Sequence, residues 1–145
     1  MLTIRPIEAD DVPALAELLG QLGYIIGLKE LTERVHLISS GGESTLLVAT
    51  NNETIVGCVQ AMIDRRLAEG SYGEVVSLVV DEAERGQGIG KKLVEAAEAW
   101  VMSKGYNRMR VRSNAMRDKA HRFFERFGFA EIKRQKIFTK SLDES

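Results

Sequence analysis

Apolar residues at Val12, Leu15, Leu18, Leu19 and Leu22 recur at the three-to-four-residue spacing that lines one face of an α-helix. Asp10 or Asp11 stands where a cap for that helix belongs, and Pro13 falls in its first turn, where a missing N–H is tolerated. Residues 2–5 before it read as a short strand. Leu28, Leu31, Val35 and Ile38 trace a narrower second helical face that stops at Gly41-Gly42. Residues 45–50 and 55–63 are β-rich runs either side of Asn51-Asn52-Glu53-Thr54, a hairpin signal. Residues 67–73 break the pattern. Residues 74–80 are almost wholly apolar after the first, as a strand covered on both faces would be. Ile89, Leu93, Ala97, Trp100 and Val101 share one face of a third helix closed by Gly105. A strand at 109–112, a helix at 117–127 stopped by Gly128, and one or two strands at 130–138 complete the order β, α, α, β, β, β, α, β, α, β.

The chain has 145 residues, 44% of them apolar, enough for one domain with its own core. No repeat or low-complexity linker divides it, so residues 1–145 are read as a single domain. Lys plus Arg number 20 against 21 Asp plus Glu, so the net charge of −1 argues against general nucleic-acid or anionic-membrane binding. No apolar run is long enough for a membrane span, and Met1-Leu2-Thr3-Ile4-Arg5-Pro6 lacks the basic-then-apolar order of a secretory signal. With Cys58 as the single cysteine, no internal disulfide can form, and a reducing, cytoplasmic location is expected. The two histidines, His36 and His121, lack paired acids at ligand spacing, so no metal is expected. The overall balance hides an asymmetry: residues 1–100 carry −8 and residues 101–145 carry +7. Either the two halves attract one another, or a basic region holds phosphates beside an acidic region that receives an amine.

Candidate chemistry concentrates where the apolar strand runs into the third helix, through Asp81-Glu82-Ala83-Glu84-Arg85-Gly86-Gln87-Gly88-Ile89-Gly90-Lys91-Lys92. Three glycines in five residues clear side chains from a place where backbone N–H groups can converge on an anion at a helix start. A dinucleotide fingerprint would need glycine at Lys91, and a Walker loop would need glycine at Arg85 and Ser or Thr at Lys92, so neither is present. A purely structural glycine turn is the alternative to a phosphate cradle.

Arg85-x-x-Gly88-x-Gly90 resembles the acyl-coenzyme A signature of the GCN5-related N-acetyltransferase superfamily. Ile4-Arg5-Pro6 with Asp10-Asp11, the hairpin, the strand from Glu74, and Ala120-x-x-Phe123-Phe124-Glu125-x-x-Gly128-Phe129 resemble the same superfamily in the same order, over essentially the whole chain. The resemblance implies an α/β (α+β) fold. Its mixed, mostly antiparallel sheet would have six to seven strands, splayed between two parallel strands, with helices on both faces. It implies acetyl-CoA as co-substrate, backbone groups of Leu78, Val79 and Val80 along the pantetheine, and Arg85, Gly86, Gln87, Gly88, Ile89, Gly90 and Lys91 around the pyrophosphate. Asn114, Arg117 and Lys119 fall where relatives often contact the coenzyme, although a solvated basic helix start accounts for them equally well. A homodimer is implied in the same way.

Acyl transfer sets its own requirements. An alkylammonium of pKa about 10.4 is about 99.9% protonated at pH 7, so some group must remove a proton before the amine can attack. Glu74 is the catalytic candidate, at a position where several superfamily members carry a carboxylate. Ser77, at opposite strand parity from Glu74, replaces a second glutamate common among relatives. Phe124 stands where the superfamily usually has a tyrosine that protonates the leaving thiolate. For a thiol of pKa about 8.5 the loss is roughly 1.4 kcal/mol, or tenfold, which slows a reaction without abolishing it. Tyr72, Ser113 or water could substitute, though Tyr72 and Ser113 read first as ordinary loop and strand-end residues. Tyr24, Arg65 and Tyr72 are the candidate acceptor contacts.

The stretch from Ser113 to Phe123 with the closing Phe138-Thr139-Lys140-Ser141-Leu142 also resembles the aminoalkylphosphonate N-acetyltransferases, from which Ser77 and Phe124 depart. The expected function is therefore N-acetylation of a small-molecule primary amine, with no nucleic-acid or membrane partner. Acetylation of a protein lysine or N-terminus, and an acyl-CoA sensor with weak catalysis, remain alternatives.

Overall fold

A computed structural model describes residues 1–112 and 118–143, with side chains from 121 onward in the second stretch. It divides into two units, Met1–Arg112 and Ser113–Ser145. In the first, the order is β1 (Leu2–Pro6), a 3-10 turn (Ala9–Asp11), α1 (Val12–Gln21), α2 (Leu28–Ser40), β2 (Ser44–Asn51), β3 (Thr54–Arg66), β4 (Gly70–Val80), a second 3-10 turn (Glu82–Glu84), α3 (Ile89–Ser103) and β5 (Met109–Val111). The strands form one sheet in chain order. Three neighbouring pairs are antiparallel and β4–β5 is parallel.

The alternation of β3 and β4 divides the core between the two faces of this sheet. Val48, Cys58 and Val79 pack under Leu15 and Leu18 of α1 and Leu31 and Val35 of α2. Ala49, Val59, Ala61 and Val75 pack on the other face against Ile89, Leu93 and Ala97 of α3. Helix α3 crosses so close to β4 that a Cβ at Gly73 would collide with the side chain of Val101. No helix among the described residues is long and apolar enough to cross a membrane.

Three local expectations change. Asp11 makes no cap to α1; its carboxylate instead accepts from the Glu8 N–H at 2.7 Å and from Arg5 at 2.8 and 2.9 Å, tying β1 to the first turn. The expected break at 67–73 is shorter, because β3 continues to Arg66 and β4 begins at Gly70. Those outer rungs are polar, and ion pairs such as Arg66–Asp64 at 2.9 Å replace apolar alternation there.

The Asn51–Thr54 rung is closed by Asn52 and Glu53, at φ 50° and 73°, the left-handed pair of a tight hairpin turn. The expected strands at 130–138 are absent, so the described residues hold five strands where six to seven were expected. Ile132 and Ile137 are five residues apart and would fall on opposite faces of a strand. No strand to pair with exists among the described residues of their unit. In that unit α4 (Asp118–Arg126) carries Phe123 and Phe124, whose rings form a cluster with Phe127 and Phe129 just beyond it, at 5.1–6.3 Å between centroids.

Candidate active site

Strand β4 is the spine of the site. Gln60 faces Ser77 while Ala61 faces Val75, so Val76 is an extra residue, a β-bulge. Two consequences follow. Ser77, expected at opposite parity to Glu74, is returned to the same face, toward α1 and α2. Pairing with β5 also stops at the bulge, the three residues of β5 facing Gly73, Glu74 and Val75 alone. From Val76 to Val80 the β5-side edge of β4 has no ladder partner among the described residues. Leu78, Val79 and Val80, the residues expected to run beside pantetheine, lie on this open edge, which suits pairing with an extended amide-bearing chain.

The edge leads directly to the glycine-rich loop. Asp81 caps the intervening 3-10 turn by accepting from the Ala83 N–H at 3.1 Å, and Gln21, at the end of α1, accepts from the Glu82 N–H at 2.9 Å. Gly86 and Gly88 then take φ of 85° and 79°. A side chain at Gly88 would be strained in this left-handed conformation although the space around it is open. Gly88 is the residue before α3, and the first α-helical bond there runs from the Lys92 N–H to its carbonyl at 3.2 Å. The N–H groups of Ile89, Gly90 and Lys91 therefore have no acceptor within the helix. Ile89 is buried and anchors the turn, while Arg85, Gly86, Gln87, Gly88 and Lys91 are exposed. Free donors, a helix start and two cations bordering the loop suit a pyrophosphate.

Glu74 is 8% exposed, and its Oε1 accepts from Arg112 Nε at 2.9 Å. That hydrogen bond raises the pKa of Arg112. Two residues back along β4, on the same face, fully buried Tyr72 donates to Asp64 at 3.1 Å and accepts from Arg110 at 3.0 Å, with the Arg110 guanidinium 4.0 Å from its ring centroid. Burial pushes the Asp64 carboxyl up, but hydrogen bonds from Arg66 and Tyr72 outweigh it and hold it below the usual range. Glu74 and Tyr72 are thus members of a carboxylate–arginine network.

Between α1, α2 and the sheet lies a cavity of about 350 Å³. Tyr24 lines it, as do Val76, Ser77 and Val79 of β4. Arg65 and Tyr72 do not. Arg65 binds Glu43 at 2.6 Å and Tyr106 at 2.9 Å, and Tyr72 is held in the network above. Buried Cys58 also lines the cavity, and burial pushes its thiol up to about 12. Asn114 and Arg117 lie outside the described residues, as does the side chain of Lys119.

Arg112, Gln60 and Gln21 were missed as candidates. The parallel β4–β5 pairing brings Arg112 to Glu74 and the bulge sets Gln60 opposite Ser77, and neither leaves a local sequence signal.

A profile of the Acetyltransferase (GNAT) family matches residues 13–129. A glucosamine 6-phosphate N-acetyltransferase of Trypanosoma brucei brucei is 30% identical over 139 residues, 92% of each chain. An IAA acetyltransferase of Azospirillum brasilense is 28% identical over 122 residues, 81% of this chain and 78% of the relative. In fold, the chain is similar to an aminoglycoside N-acetyltransferase solved in complex with CoA, at 18% identity and a TM-score of 0.87, covering 97% of this chain and 95% of that one.

Proposed function

Because the chain belongs to the Acetyltransferase (GNAT) family, we propose that it transfers the acetyl group of acetyl-CoA to the primary amine of a small molecule. The observation that carries this reading is the continuity of the open β4 edge from Val76 to Val80 with the donor-rich start of α3. An extended pantetheine needs the former and a pyrophosphate the latter, in that order along the chain. The reaction forms an amide C–N bond and breaks the thioester C–S bond. Backbone groups of Leu78, Val79 and Val80 orient the pantetheine, and an N–H near Val79 is placed to meet the carbonyl oxygen as it gains charge. Residues Arg85 to Lys91 hold the pyrophosphate. Glu74 takes the amine proton, directly or through water, with Arg112 fixing its orientation. The named acceptors of the two sequence relatives support a small-molecule acceptor.

Calorimetric titration tests the coenzyme half of this reading. Wild type is expected to bind acetyl-CoA, and Gly88→Val to bind at least about tenfold more weakly, a difference of about 1.4 kcal/mol, because valine cannot hold φ of 79° without strain. Equal affinity would remove the loop from the site.

A further inference from the structure

We propose that the acceptor is a monoamine on an aromatic or branched aliphatic body, seated in the cavity between α1, α2 and β4 with its amine at the β4 bulge. This rests on the acetyltransferase reading and names the substrate class of the same site. The cavity is two-ended. Its helical walls are Leu15 and Leu19 of α1 and Leu31, Val35 and Ile38 of α2. Its sheet wall ends in Gln60 and Ser77, directly paired across β3 and β4. These two polar side chains adjoin Val76, where the open edge begins. An amine hydrogen-bonded there lies beside the strand that orients the thioester, while the rest of the molecule replaces water along apolar walls.

The lining also argues against the acceptors of several relatives. Among the described residues no carboxylate lines the cavity, and the one charged lining residue is the cation Arg34. On the same face of the sheet, Asp64 is engaged by Arg66 and Tyr72, and Glu74 by Arg112. The second charge of a polyamine or aminoglycoside therefore finds no acidic partner in the lining, and the hydroxyls of an amino sugar would lose water against leucine, isoleucine and valine. The volume of about 350 Å³ is within the range of small-molecule sites.

The test is acetyl-CoA-dependent thiol release by the full chain with phenylethylamine, isopentylamine and a hexyl-to-ethyl series of linear amines, against spermidine, kanamycin and glucosamine 6-phosphate. The expected kcat/KM for phenylethylamine exceeds that for spermidine by about 100-fold, and each methylene removed from the linear series costs about fourfold. Highest kcat/KM with spermidine, kanamycin or glucosamine 6-phosphate would overturn the proposed acceptor while leaving acetyl transfer intact. Thiol release no faster than in buffer with every amine supplied would overturn both. Ile38→Asn, a half-buried change in the apolar wall, is expected to raise KM for phenylethylamine about tenfold with acetyl-CoA affinity unchanged by calorimetry. An unaltered KM would contradict the assigned cavity.

Discussion

A carboxylate 8% exposed and bound to an arginine, as Glu74 is, can hold a proton acceptor at a fixed place. If Glu74 takes the amine proton, Glu74→Gln should lower kcat by about 100-fold and move the pH–rate profile upward, because the variant must wait for amine that has already lost its proton in solution. Acetyl-CoA affinity should stay the same. Superimposable profiles for the two proteins from about pH 6 to 9 would reject Glu74 as the base. Glu74 was legible as a candidate because it opens an apolar strand, and Gly88 because it lies in a glycine-rich loop before a helix. Arg112 and the facing of Ser77 were not. The first depends on a parallel crossing between β4 and β5, and the second on the bulge at Val76, both products of tertiary pairing.

The elements carry their own consequences. Arg5 holds the Asp11 carboxyl below its ordinary range by two hydrogen bonds, against the opposing effect of burial. A lowered folded pKa gives stability that is complete above the unfolded value of about 3.9 and is lost as pH falls through the folded one. Asp11→Asn should therefore reduce the free energy of unfolding by about 1–3 kcal/mol near neutral pH, with the gap to wild type closing below about pH 4. Urea unfolding at both pH values measures this, and a gap independent of pH would contradict it. At the β2–β3 hairpin, Glu53 holds φ of 73°, which suits glycine better. Glu53→Gly should raise stability by about 0.5–1 kcal/mol, and a lower urea midpoint would contradict that assignment. Periodicity revealed α1, α2, α3 and the cores of β2, β3 and β4, because each buries a regular apolar face. It did not reveal the ends of β3 and β4, where ion pairs replace that face. At 130–138 it suggested strands for a segment whose Ile132, Ile137 and Phe138 are exposed.

Across the whole molecule, part of the charge asymmetry resolves at β5. Arg108, Arg110 and Arg112 belong to the basic final 45 residues, and Arg110 and Arg112 form ion pairs with Glu69, Asp64 and Glu74 of the acidic part. Mutual attraction thus accounts for some of the segregation without a ligand. In the acidic part itself, the exposed cations Arg85, Lys91 and Lys92 border the glycine loop, where a pyrophosphate would need them. In the proposed reading, the sheet order, the open edge of β4 and the start of α3 act as one device that would align a thioester with an amine held under α1 and α2. The most direct test of that device is mass spectrometry of a reaction containing the protein, acetyl-CoA and phenylethylamine. Acetyl transfer predicts N-acetylphenylethylamine and free coenzyme A in equal amounts, at a rate proportional to protein concentration. Acetyl-CoA that binds but is consumed no faster than in buffer, with this and every other primary amine supplied, would contradict it.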